Sequence, residues 1–91
     1  MVGDTIRVLL VDDNTEYRTR LVKALRLQPG IEVIGEAASG REGVQLARSL
    51  RPDVMLMDFR MAGLDGFSAA GAIMRDVPGT KIFILTAYAG A

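Results

Sequence analysis

Val54-Met55-Leu56-Met57-Asp58 decides how this chain is read, because four consecutive apolar residues with no polar alternation stop on a carboxylate. An unbroken run of this kind suits a strand buried on both faces, the usual state of strands in parallel α/β sheets. The pattern occurs twice more: Val8-Leu9-Leu10-Val11 ends on Asp12 and Asp13, and Ile82-Phe83-Ile84-Leu85 ends on Thr86. Ligand crevices in open parallel sheets lie outside the carboxyl ends of the strands. If the three runs are parallel neighbours, three carboxylates and a hydroxyl converge at one edge. Such an electronegative site suits a hard divalent cation and a phosphoryl group.

The segments between these runs read as helices and one further strand. Strand one covers Ile6 to Val11, and Asn14 or Thr15 can cap a helix with Tyr17, Leu21, Ala24 and Leu25 inward, stopped by Pro29-Gly30. Strand two, Ile31 to Ala37, is interrupted by Glu32, Gly35 and Glu36, which suits a partly solvated edge. A second helix runs from Gly40 to Leu50 with Val44, Ala47 and Leu50 in register, and Arg51-Pro52 ends it, because the residue before proline disfavours helix. After Asp58, Asp65 is the expected cap of a third helix with Phe67, Ala70, Ile73, Met74 and Val77 inward, closed by Pro78-Gly79. Strand four is Lys81 to Leu85. Four strands alternating with three helices predict an α/β fold with a doubly wound parallel sheet, residues 1–91 forming a single domain.

Composition narrows the functions available. The 91 residues suit one small domain, and the 11 basic and 11 acidic side chains balance, which argues against a nucleic-acid surface. There is no cysteine for a disulfide or thiolate metal site, and no histidine, the commonest general base and zinc ligand. Any histidine chemistry must come from a partner. No long apolar segment suggests a membrane span or signal peptide, so a soluble cytoplasmic protein is expected. Strand four is as apolar as the strands read as central. Left at an edge, it is a template for pairing with a second copy of the chain.

The acid pair Asp12-Asp13, the segment Asp58-Phe59-Arg60-Met61-Ala62-Gly63-Leu64-Asp65-Gly66 and Thr86 together resemble the receiver domain of two-component response regulators. Residues 31–66 look most like receivers that precede a helix-turn-helix DNA-binding output domain. The resemblance implies a flavodoxin-like sheet in the order 2-1-3-4. It implies that Asp58 accepts a phosphoryl group from the phosphohistidine of a sensor histidine kinase, self-catalysed transfer rather than enzyme turnover. It further implies Mg²⁺ bound by Asp13 directly, by Asp12 through water, by Asp58 and by the Arg60 backbone carbonyl, and Thr86 as the switch hydroxyl, with Tyr88 in the segment that follows. Carboxylates about 5 Å apart repel by roughly 3 kcal/mol per pair at an effective dielectric near 20, so a cation is needed before a phosphoryl group can approach.

Two departures from the family's pattern stand out. Ala62 replaces a usual proline. Receivers also carry a fifth strand ending in a lysine that contacts the phosphoryl group, whereas this sequence reads as truncated after strand four and has only Lys23 and Lys81. Lys23 falls about 13 Å along helix one from the acid pair at 1.5 Å per residue, and Lys81 opens strand four at the opposite end of the sheet.

Plainer readings exist for each residue taken singly. An Asp pair after a strand is more often a turn or cap than a metal site; Tyr17 and the Phe67 stripe read as core, the methionines as packing, and Arg41, Arg48 and Arg51 as a solvated face. Three strand ends in the expected order make coincidence a poor explanation. A truncated receiver fold acting only as a structural or interaction module through strand four remains the alternative function. A metal-dependent phosphohydrolase is weaker, because no Asp-x-Asp pair follows a strand, and no Walker or dinucleotide-binding glycine motif occurs.

Overall fold

The computed structural model describes residues 4–58 and 66–85, the second stretch with side chains from Ser68 onward. The elements are β1 (Ile6–Val11), α1 (Thr15–Arg26), β2 (Ile31–Ala37), α2 (Gly40–Leu50), β3 (Val54–Asp58), α3 (Gly66–Asp76) and β4 (Lys81–Leu85). The readings of Arg60, Ala62, Asp65, Thr86 and Tyr88 lie outside the described residues, and that of Phe67 outside the described side chains.

All strand pairings are parallel, and the sheet runs β2-β1-β3-β4. The unbroken apolar runs of β1 and β3 occupy its centre, where Leu9, Val11, Met55 and Met57 are fully buried. Side chains alternate between the faces of a strand. These four accordingly share one face with Val44 and Ala47 of α2 and Ala69 and Ile73 of α3, while Val8, Leu10 and Val22 of α1 fall outside that cluster. β2 takes the edge that its glutamates foretold. Its pairing with β1 slips between Val8↔Val33 and Leu9↔Gly35, so Ile34 has no opposite residue.

Glycine is needed where α2 crosses β1. A Cβ on Gly43 would stand 2.8 Å from a methyl of Val11, a buried side chain with little room to turn. The start of α2 is set by Ser39, whose hydroxyl accepts from the Glu42 amide at 3.1 Å while the Glu42 carboxylate accepts from the Ala38 amide at 2.8 Å. At its end Arg51 is left-handed, with φ 48°, and its amide donates to the Ala47 carbonyl, closing the helix.

Two apolar stripes differ from the sequence expectation. In α1 the buried residue is Val22, whereas Tyr17 is 39% exposed and Ala24 is exposed. Among the described elements this helix packs mainly on β1 and β2, so its contact stripe is narrow. In α3, Ala69, Ile73 and the following Val77 are buried, and Met74 is 67% exposed. Spacing of four along Ala69, Ile73 and Val77 selects a line rotated away from Met74. Arg41, Arg48 and Arg51 are exposed, as expected of a solvated face, and Arg48 also bridges α2 to Asp76 at the end of α3.

Arg7 ties the amino end of β1 to the close of α2. Its guanidinium donates to the Leu50 and Arg51 carbonyls, both at 2.7 Å, where the helix has no further amides to offer. Arg7→Ala removes both bonds and leaves those carbonyls to water. We expect a loss of about 2 kcal/mol, seen as a melting temperature roughly 10 °C lower by circular dichroism.

Candidate functional site

Asp12, Asp13 and Asp58 meet at the carboxyl ends of the two central strands. The β1–β3 register pairs Val11 with Met57, so the residues that follow, Asp12 and Asp58, fall side by side. Carboxylate oxygens of all three lie within 4.8 Å of one another. Asp12 is 3% exposed, Asp58 is buried and Asp13 is open to solvent. The three residues thus form a cup with one accessible ligand at its rim. Thr86 and the Arg60 carbonyl, the other site groups expected from the sequence, lie outside the described residues.

Backbone contacts hold Asp12 in place. Its amide donates to the Ala37 carbonyl at 3.0 Å, extending the β1–β2 ladder by one residue, and its Oδ1 accepts from the Asn14 amide at 2.8 Å. Asn14 in turn caps α1, accepting from the Tyr17 amide at 2.9 Å. Burial pushes the Asp12 carboxyl above its ordinary value; the Asn14 amide opposes this, the Asp58 and Asp13 charges add to it, and Arg18 opposes it. The two like charges beside this buried acid are a repulsion that a bound cation would relieve. The donors are all carboxylate oxygens, with no nitrogen or sulfur, and this set fits a hard ion such as Mg²⁺.

Lys81 pairs with Val54 at the far end of β4, as the sequence implied, and Lys23 is exposed in α1. Sequence reasoning passed over Arg18 and Glu36. Arg18 lies six residues beyond Asp12, and its guanidinium donates to the Asp12 carbonyl and to the Glu36 carboxylate of β2. A charged residue one turn inside a helix reads as surface until the register of β2 is known.

The family model of the response regulator receiver domain matches residues 8–91 of this chain. The chain is a response regulator receiver domain. The transcriptional regulatory protein LiaR of Bacillus subtilis is 52% identical over 83 residues, a match covering 91% of this chain and 39% of that protein. The response regulator protein VraR of Staphylococcus aureus is 43% identical over 84 residues, covering 92% of this chain and 40% of that one. The chain therefore spans about two fifths of the curated relatives it matches. Among solved structures, the signal receiver domain of NarL from Mycobacterium tuberculosis superposes with a TM-score of 0.89 at 34% identity, over 94% of this chain and 69% of that one. The flavodoxin-like order 2-1-3-4 expected of a receiver is the order observed. Among the described residues no helix is long and apolar enough to cross a membrane.

Proposed function

We propose that Asp58 is the phosphoacceptor of this receiver. The observation that carries the reading is the convergence of the Asp12, Asp13 and Asp58 carboxylates within 4.8 Å at the end of the central strands. An oxygen of Asp58 attacks the phosphorus of a phosphohistidine on a sensor histidine kinase. The P–N bond breaks, the electron pair stays on the imidazole, which takes a proton from solvent, and an acyl phosphate remains on Asp58. Asp12, Asp13 and Asp58 would hold Mg²⁺, which when bound would supply the positive charge that offsets their repulsion of the phosphoryl oxygens. The chain thus accelerates only its own modification. By family resemblance the Arg60 carbonyl completes the metal ligands and Thr86 reports the new phosphate, in a protein that acts in the cytoplasm on transcription through an output domain.

Incubation with Mg²⁺ and a small acyl phosphate, followed by intact mass measurement, tests this. We expect one added phosphoryl group on the chain and none on Asp58→Asn. An unmodified parent chain counts against the proposal.

A second reading, self-association, is favoured by β4. Among the described residues it is the last strand of the sheet, and Phe83 is 53% exposed on the face away from α2 and α3, while Ile82 and Ile84 pack toward them. An apolar strand of this kind pairs readily with a copy of itself. Light scattering at high micromolar concentration is expected to show dimers or larger species, and a strict monomer contradicts the reading.

A further inference from the structure

Arg18 is built into the acid cup from behind. Its side chain is only 14% exposed, and its Nη1 donates to the Asp12 carbonyl at 2.5 Å while its Nε donates to Glu36 Oε1 at 3.2 Å. Glu36 immediately precedes Ala37, whose carbonyl accepts the Asp12 amide. Asp12 is thus held on both sides, its N–H by the backbone of β2 and its C=O by a guanidinium anchored on the same strand.

That carbonyl belongs to the peptide joining Asp12 to Asp13. Fixing its plane fixes the direction in which the chain leaves β1, and so where Asp13 points. Asp13 needs this help. It sits at a bend beyond the last paired residue of β1, exposed, so the sheet does not orient it. A single Arg–Glu pair whose glutamate is partly open to solvent adds little stability by itself. What sets Arg18 apart from the other surface arginines is its bond to a carbonyl between two of the three clustered acids.

We propose that Arg18 is a positioning residue for the acid cup: held by Glu36, it orients the Asp12–Asp13 peptide so that both carboxylates meet Asp58 around one cation. The proposal rests on the reading of that cup as a Mg²⁺ and phosphoryl site. Partners one step behind metal ligands typically change metal affinity by roughly 10–100-fold when removed, because the ligands lose their orientation.

Arg18→Met keeps the aliphatic stem and removes the donors. Mg²⁺ affinity is measured by calorimetry on the 91-residue chain, alongside metal-free melting and the amide shifts of Asp13 and Asn14. We expect Mg²⁺ binding weakened at least about 10-fold, amide shifts confined to the Asp12–Asn14 turn, and melting within a few degrees of the parent. Affinity within twofold of the parent overturns the proposal, whatever happens to melting. Should Arg18→Met not fold, Arg18→Lys keeps the charge but cannot span both acceptors, and parent-like affinity in that variant overturns the proposal equally. If the parent itself binds no Mg²⁺, the metal reading of the site fails, and the role of Arg18 falls with it.

Discussion

Asp13→Asn is expected to weaken Mg²⁺ binding by roughly 100-fold, about 2.7 kcal/mol, and to remove most phosphoryl uptake at millimolar Mg²⁺. Of the three acids Asp13 alone is exposed, so it is the one an incoming hydrated cation reaches first. The amide retains a neutral oxygen ligand but gives up the charge that offsets the cost of stripping water from a small divalent ion. Calorimetric titration of the variant beside the parent measures this directly. The fold should not suffer. Removing one of three clustered negative charges leaves the metal-free chain at least as stable as before, so an affinity loss accompanied by unfolding would point instead to a structural role for Asp13.

The second large effect is a pH-dependent gain in stability on replacing Asp12. Burial, reinforced by the Asp58 and Asp13 charges, holds its carboxyl above the ordinary range in the folded chain. The folded state therefore binds the proton more tightly than the unfolded one. By linkage, the contribution of Asp12 to stability is greatest below the ordinary carboxylate range and is lost as pH rises through the raised folded value. Asp12→Asn carries no charge at any pH, and its Oδ1 can still accept from Asn14. In metal-free buffer the variant should match the parent in melting temperature in acid and exceed it by several degrees at neutral pH, where 1 kcal/mol corresponds to about 4–8 °C for a domain of this size. Saturating Mg²⁺ should narrow or invert the difference, because the parent gains binding energy that the variant lacks. Equal melting curves for the two proteins across the acid-to-neutral range, without metal, would show that the buried acid is not under strain.

Much of this architecture could be read from residue order. The bounds of β1, β3 and β4 follow from aliphatic runs that only a doubly covered strand tolerates, and the placement of β2 at an edge follows from Glu32, Gly35 and Glu36. The clustering of Asp12, Asp13 and Asp58 then follows from topology, since strands that begin in register at one end deliver their last residues together at the other.

Helix faces were less legible. Gly66-Phe67-Ser68-Ala69-Ala70-Gly71-Ala72-Ile73-Met74 offers several stripes of small residues, and Met74 draws the eye because it is large, yet Ala69 with Ile73 makes the close approach to the sheet. In α1, Val22 is buried in place of Tyr17, because a helix packed mainly on two strands hides a narrow line of side chains. Arg18 and Glu36 were least legible. Their meeting is a contact between α1 and β2 downstream of the register slip in β2, which leaves no periodic trace in the sequence.

The central claim is that Asp58 is the atom-level destination of the phosphoryl group. After reaction with an acyl phosphate and Mg²⁺, reduction with borohydride converts the acyl phosphate of an aspartate into homoserine, which peptide mass spectrometry locates. The account predicts homoserine at position 58 alone, dependent on Mg²⁺. Homoserine at position 12 or 13, or none in a folded chain that binds Mg²⁺, would contradict it.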